Sequence, residues 1–305
     1  MKSPKEKTVA IIGLGSMGLG MARSLLRAGF DVAGFDLAAT TLDRFAADGG
    51  RKANSPASAA KEADIVISVV VNAAQTEALL FGPEGAAGSM QRGAVFISCA
   101  TMDPAIARNL AQRVEALGFH YLDAPISGGA KKAASGELTV MGAGSNEAFA
   151  LARPALDAMA TKVYELGESA GTGAAFKMIN QLLAGVHIAA ACEAIAFAAK
   201  QGLDLDKVYE VITASAGNSW MFENRIPHVL AGDYTPLSAV EIFIKDLGII
   251  QDMARAERYP VPVAAAALQM YLAASGAGMG HDDDSSLARL YARLSGAVLP
   301  TSEVD

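Results

Sequence analysis

The chain has 305 residues, 52% hydrophobic and 19% charged, a length and balance that suit two folded domains and exclude a disordered chain. A net charge of -7 argues against nucleic acid as a partner, because nucleic acid wants a basic face. Two cysteines, Cys99 and Cys192, are too few for a disulfide framework or a cysteine metal site, which fits a reducing cytoplasm.

The N-terminus, MKSPKEKTVAIIGLGSMG, is polar and then enters a short apolar run already broken by glycines. It lacks the long apolar core and cleavage site of a signal peptide. TVAIIGLG reads as a strand ending in glycines, and MGLGMARSLLRAG as a helix stopped at Gly29. DVAGFD is the next strand. Ser55 and Pro56 open a short helix, and ADIVISVVV is a fully apolar strand. GAVFISCAT repeats the pattern. The helix DPAIARNLAQRVEALG follows, with Asp103 as N-cap and Pro104 at the first helical position. HYLDAPIS, GELTVMGAG and KVYELG are strands, with a helix near NEAFALARPALDAM. Strands alternating with helices predict a doubly wound parallel sheet of the Rossmann type.

GLGSMG places Gly13, Gly15 and Gly18 between the first strand and the first helix. The first glycine permits a tight turn, the second lets backbone approach a pyrophosphate, and the third allows close helix packing. The pyrophosphate then sits at the helix N-terminus, where backbone N–H groups favour an anion. Leu14, Ser16 and Met17 complete the loop. Asp36, eighteen residues after Gly18, ends the next strand. A carboxylate there bonds ribose hydroxyls and repels a 2′-phosphate, and the next arginine is Arg44, so NAD is expected over NADP.

Beyond Gly167 the character changes. GESAGTGA is a Gly/Ser-rich stretch that reads as a hinge, and helical patterns dominate after it. The expected division is an NAD-binding Rossmann domain over residues 1–168 and an all-α domain over residues 169–305, begun by a long helix. That helix runs through GAAFKMINQLLAGVHIAAACEAIAFAAKQG. It is apolar enough for a membrane span, but Glu193 sits within it, and a buried core helix is the reading taken. LDKVYEVITASAG, SAVEIFIKDLGIIQDMARAERY, VAAAALQMYLAASGAG and SSLARLYARLSG supply further helices. Asn218 and Ser219 either meet substrate hydroxyls or form a helix-terminus loop, with Trp220 and Phe222 as core or dimer packing. HDDDSS is expected as a solvated turn with an N-cap, and TSEVD as a frayed end.

In the long helix, Lys177, Asn180 and Gln181 stand three and four residues apart and so share one face. An amine facing the carboxyl edge of the sheet can donate and accept a proton. DAPISGG follows a strand, and its Ser127, Gly128 and Gly129 form a loop whose N–H groups can gather a carboxylate. The four histidines, His120, His187, His228 and His281, lack metal-ligand spacing, so no metal is expected. Cys99 reads as a packed apolar residue, and Thr101 beside it as a residue within reach of the cofactor.

GLGSMG with Asp36, DAPISGGAKKAASGEL, GAAFKMINQ and IFIKDLGI, in that order, resemble the 3-hydroxyisobutyrate dehydrogenase (β-hydroxyacid dehydrogenase) family over nearly the whole chain. The resemblance implies that Lys177 is the catalytic lysine and that Ser127, Gly128 and Gly129 cradle the substrate carboxylate. It implies that Asn180 orients substrate, and that Thr101, Lys245, Val71 and Asn72 contact the cofactor. The family pattern has two asparagines after the lysine. Gln181 stands at the second place, its extra methylene moves the amide, and it marks a substrate-binding position where choice can differ. QLLAGVHIAAACEA and SAGNSWMFENRIPHVLAGDYTPLSAV resemble a branch that oxidises a four-carbon sugar acid at carbon 2 with NAD.

The expected reaction is hydride transfer from a small hydroxy acid to NAD, with Lys177 taking the hydroxyl proton. The alternatives are oxidation of 3-hydroxyisobutyrate, reduction of tartronate or succinic semialdehyde, and, in a different class, a non-catalytic NAD-binding regulatory protein. The presence of Lys177 and the lack of a basic tail weigh against the last. The Ala-rich helical half offers more apolar surface than one small domain buries, so a homodimer or homotetramer is expected, with no membrane partner.

Overall fold

The structure is a computed structural model that describes residues 7–302. The expectation for the C-terminal TSEVD falls partly on residues 303–305, outside the described residues. The chain divides into two compact units after Met178.

The first unit holds a six-stranded sheet built from β1 (Thr8–Ile12), β2 (Asp31–Phe35), β3 (Arg51–Lys52), β4 (Ile65–Ser68), β5 (Val95–Ser98) and β6 (His120–Asp123). Its order is β3-β2-β1-β4-β5-β6 and every pairing is parallel. Alternate residues of the apolar strands serve two separate cores. Val9, Ile11, Ile65, Ile67, Val95 and Ile97 enter one, and Ala10, Ile12, Val66 and Phe96 enter the other. Burial on both faces is why these strands read as continuous apolar runs.

Helices cover both faces: α1 (Ser16–Arg27), α2 (Ala39–Ala47), α3 (Pro56–Ala60), α4 (Ala73–Phe81) and α5 (Pro104–Ala116). Local chemistry sets their starts. Ser55 and Ser58 form a reciprocal capping box at α3, and the Asp103 carboxylate accepts from Ala105 N at 2.6 Å at the start of α5.

The remaining strands do not join this sheet. β7 (Ile126–Ser127), β8 (Leu138–Gly142) and β9 (Ala160–Glu165) form a second sheet, antiparallel between β7 and β8 and parallel between β8 and β9. The single doubly wound sheet expected from the alternation is thus a parallel sheet plus a small mixed one. Between these strands lie α6 (Gly129–Ser135) and α7 (Asn146–Met159).

A long helix, α8 (Thr172–Lys200), passes from the first unit into the second. By length and composition it could cross a membrane, with mean hydropathy 1.9, and half of its most apolar window is buried within the protein. The second unit adds α9 (Leu205–Thr213), α10 (Trp220–Ala231), α11 (Val240–Ala256), α12 (Pro262–Ala274) and α13 (Leu287–Ser295). Gly185 lets α11 lie close to α8, since a Cβ there would fall 2.9 Å from the Phe243 ring. Tyr271 stacks on Phe243 at 5.3 Å and donates its hydroxyl to Gly185 O at 3.0 Å.

Asn218 and Ser219 lie at a helix terminus: Ser219 caps α10, its Oγ accepting from Phe222 N at 3.0 Å, and Phe222 is buried while Trp220 is exposed. One expectation in this unit is corrected. HDDDSS is not a solvated turn, because Asp283, Asp284, Ser285 and Ser286 are all fully buried. Asp283 accepts from Leu237 N and from the Ser285 hydroxyl, and Asp284 holds a two-pronged pair with Arg225. Burial pushes the Asp284 carboxyl up to about 6, against the opposing charge of Arg225.

Candidate active site

The strand order reverses direction between β1 and β4, and in such sheets ligands bind at the carboxyl ends of the strands beside that reversal. The expected cofactor residues of the first unit lie there. The glycine loop follows β1, Asp36 follows β2, Val71 and Asn72 follow β4, and Thr101 follows β5.

The three glycines of the loop have different surroundings. A Cβ on Gly13 would meet Val69 O at 2.5 Å, and one on Gly18 would meet Gly13 O at 1.9 Å. Gly13 also has φ +92°, a left-handed conformation. A Cβ on Gly15 would meet nothing within 4 Å. So two glycines close the turn and the third faces open space. No side chain caps the start of α1, which leaves it suited to an anion. A cavity of about 300 Å³ opens there, lined by Leu14, Gly15, Ser16, Thr41 and Arg44 among others. The loop therefore fits a dinucleotide phosphate.

Asp36 braces the same loop. Its Oδ2 accepts from Leu14 N at 2.7 Å and its Oδ1 from Ala38 N at 2.8 Å. Each oxygen retains a second lone pair for a hydroxyl donor. Asn72 caps α4, its Oδ1 accepting from Gln75 N at 2.9 Å, while Val71 N donates to Gln75 Oε1 at 2.9 Å. Cys99 is buried, and burial first, then Asp123, pushes its thiol up to about 12. A thiol held protonated is a packing residue, not a nucleophile.

Ser127 ends β7, and the chain turns with φ +138° at Gly128 and +75° at Gly129 before α6 begins. Helix α6 lies against α1. Ser24 Oγ donates to Ala133 O at 3.0 Å, and a Cβ on Gly20 would fall 2.7 Å from Ala134 N. The glycine-loop helix and the turn at Gly128 are thus fastened to each other through direct backbone approach.

Lys177, in the second turn of α8, is buried, and its ammonium donates to Ile126 O at 2.9 Å. The amine therefore sits one residue from Ser127 and the two glycines. Asp123, at the end of β6, holds the start of the same helix. Its Oδ2 accepts from Gly171 N at 2.8 Å and from Ala174 N at 2.9 Å. Gly171 and Ala174 of the GESAGTGA stretch are the residues held by this carboxylate.

Burial raises the Asp123 carboxyl to about 6, opposed by the N–H groups of Ala174, Gly171 and Gly173. The unfolded chain ionises this group near 3.8, so between about 4 and 6 the folded state holds the extra proton. Its contribution to stability is present at low pH and lost as pH rises through that window. Asp123→Asn, which removes the titration, is expected to gain stability relative to the parent by up to roughly 3 kcal/mol between about pH 4 and pH 7. Urea unfolding at both pH values measures this, and a pH-independent difference would refute it.

In the second unit, Asn180 Nδ2 donates to Gln181 Oε1 at 2.9 Å, and Gln181 Nε2 donates to the buried Asp246. Lys245 pairs with Asp246 on its other oxygen. This series of hydrogen bonds turns the Asn180 amide nitrogen toward Gln181. Asn218 Nδ2 donates to Thr213 O, at the end of α9, at 3.2 Å and to Glu223, in the first turn of α10. Among the described residues no group of three or more His, Cys, Asp or Glu side chains gathers to hold a metal.

Residue-type reasoning passed over Asp123 and Asp246. Each had a signal. Asp123 ends an apolar strand without a charged neighbour, and Asp246 sits beside the apolar series Val240, Phe243, Leu247 and Ile250.

Residues 8–167 match the family model described as the NAD binding domain of 6-phosphogluconate dehydrogenase. Residues 171–291 match that described as NAD-binding of NADP-dependent 3-hydroxyisobutyrate dehydrogenase. The chain is 54% identical over 286 residues to a curated relative from Cupriavidus necator named L-threonate dehydrogenase, covering 94% of this chain and 96% of that one. The chain belongs to the 3-hydroxyisobutyrate dehydrogenase family. An L-threonate dehydrogenase of Haemophilus influenzae is 49% identical, with 94% and 96% covered. A crystal structure described as 3-hydroxyisobutyrate dehydrogenase from Salmonella typhimurium superposes with TM-score 0.89 at 49% identity, covering 93% of this chain and 99% of that one. As a member of the 3-hydroxyisobutyrate dehydrogenase family, the protein is an NAD-dependent hydroxyacid dehydrogenase.

Proposed function

We propose that the protein oxidises L-threonate at carbon 2 to 2-dehydro-L-erythronate (2-oxo-tetronate), with NAD as cofactor and Lys177 as the acid–base group. The observation that carries the chemistry is the Lys177 ammonium at 2.9 Å from Ile126 O, one residue before the Ser127-Gly128-Gly129 turn. The choice of substrate is supported by the relatives named L-threonate dehydrogenase over nearly their whole length.

Bound NAD supplies the hydride acceptor. The backbone N–H groups at Gly128 and Gly129 and the Ser127 hydroxyl receive the substrate carboxylate. As a neutral amine, Lys177 takes the proton of the hydroxyl under oxidation, and as the resulting ammonium it returns a proton to the carbonyl oxygen in the reverse direction. Asn180, its nitrogen engaged by Gln181, presents its oxygen to a substrate hydroxyl. Gln181 acts through Asn180. Gly13, Gly15, Gly18, Asp36, Val71, Asn72, Thr101 and Lys245 are assigned to the cofactor.

The test is NADH formation across three- and four-carbon hydroxyacids: both threonate enantiomers, erythronate, L-serine and 3-hydroxyisobutyrate. L-Threonate is expected to have the highest kcat/KM, by about 10-fold or more. A preference for 3-hydroxyisobutyrate or L-serine would overturn the substrate while leaving the chemistry standing.

Gly15→Ala and Gly18→Ala are expected to separate binding from folding. The first places a methyl in open space, so the fold persists and NAD affinity falls. The second forces backbone apart and costs roughly 1–3 kcal/mol of stability. Thermal melts with and without NAD distinguish them. A Gly15→Ala enzyme with unchanged NAD affinity would remove that loop from the cofactor site.

We place the protein in a reducing cytoplasm, where the free Cys99 and Cys192 remain thiols. We also propose a homodimer or homotetramer. In the second unit Ile179, Leu183, Phe197, Val211 and Trp220 are all exposed, more apolar surface than a lone unit of this size ordinarily presents. Light scattering at micromolar concentration should give a mass at least double 31.4 kDa, and a monomer mass would refute it.

A further inference from the structure

We propose that Asp123 is a positioning residue for proton transfer: its buried carboxylate seats the first turn of α8 and so sets the reach of Lys177. This rests on the reading of Lys177 as the acid–base group. Where a side chain caps a helix start elsewhere among the described residues, it is the residue just ahead of the helix, as Ser55, Asn72, Asp103, Ser145, Asp204 and Ser219 show. The start of α8 is held instead by a side chain 48 residues before Gly171 and 51 before Ala174.

Asp123 is itself fixed. Its backbone exchanges hydrogen bonds with Ala143 in both directions, at 3.0 and 2.8 Å. Ala174 and Lys177 lie three residues apart and share a helix face. Ala174 N is gripped by Asp123, and the Lys177 ammonium by Ile126 O. One short segment, residues 123–126, therefore holds a single helical turn at its base and at its amine. Gly173 keeps the contact close, since a Cβ there would fall 2.3 Å from Met141 O and 2.9 Å from Asp123 O. A carboxylate at a helix start also matches the positive end of the helix dipole.

The test compares Asp123→Asn, Asp123→Ala, Lys177→Ala and the double variant Asp123→Asn/Lys177→Ala in the full-length enzyme. The readouts are kcat, KM for the best hydroxyacid, NAD affinity by protein fluorescence, and labelling of Lys177 by trinitrobenzenesulfonate followed by peptide mass spectrometry. Asp123→Ala is expected to lower kcat by about 100-fold, with KM and NAD affinity little changed. Asp123→Asn keeps an acceptor oxygen and is expected to lose less, so it serves as the conservative variant if the alanine variant fails to fold. In the Lys177→Ala background, Asp123→Asn should cost less than about 2-fold further, because the two act as one unit. Lys177 should label faster in the Asp123→Asn enzyme than in the parent, with other lysines unchanged.

An equal loss from Asp123→Asn with and without Lys177, or unchanged Lys177 labelling, would overturn the proposal. Near-normal turnover in Lys177→Ala would overturn the acid–base reading and the catalytic half of this inference. The labelling rate would then decide the anchoring by itself.

Discussion

Lys177→Ala is expected to lower kcat by roughly 100- to 10,000-fold while leaving the protein folded and able to bind NAD. The amine is buried and held at 2.9 Å from Ile126 O, beside the turn where a carboxylate would dock. The glycine loop and Asp36 belong to other segments of the chain. Losing the amine leaves the Ile126 carbonyl short of a donor, worth about 1–3 kcal/mol, which a core of this size can absorb. Lys177→Arg sharpens the test, because a guanidinium keeps the charge but does not give up its proton. Arginine is expected to be as inactive as alanine. Turnover restored by arginine would mean that the position supplies charge alone. Turnover kept by alanine would remove the lysine from the chemistry.

The second large effect concerns stability. Arg225→Leu is expected to destabilise the protein by about 3–5 kcal/mol, because it leaves a buried carboxylate without its counter-charge. Asp284 is fully buried, and the Arg225 guanidinium reaches both of its oxygens, at 2.6 and 3.2 Å. Asp284→Asn strands the guanidinium in turn and is also expected to destabilise. The combined variant should lose less than the sum of the two, since each single change already breaks the same interaction. Urea unfolding of the three variants measures this. Additive losses would mean that the residues support the fold through separate contacts.

That pair also shows where sequence reading stops. The strands of the large sheet were legible because burial on both faces demands unbroken β-branched runs, as in TVAII and IVIS. The glycine loop was legible because turn, phosphate approach and helix packing require glycine at fixed spacing. HDDDSS was misread because its burial depends on Arg225, 59 residues away from Asp284, which no local pattern reports. Helix α10 was missed because Pro227 lies within it and Asn218 and Ser219 ahead of it read as loop. The second sheet was hidden because β7 is only two residues long, too short to show a period. Within the candidate site, Lys177 stood out as a charge on an apolar helix. Asp123 did not, because its partners are backbone N–H groups, and those look alike in every sequence.

The double engagement of Asp36 constrains anyone who would retune this enzyme to a phosphorylated dinucleotide. The obvious exchange, aspartate for a small or basic residue, deletes the brace on Leu14 N along with the negative charge. A successful redesign has to replace the brace before it changes the charge. Asparagine at that position, which keeps an acceptor oxygen at the same reach, with new cations recruited from the neighbouring α2 face, offers a better starting point than arginine at Asp36 itself.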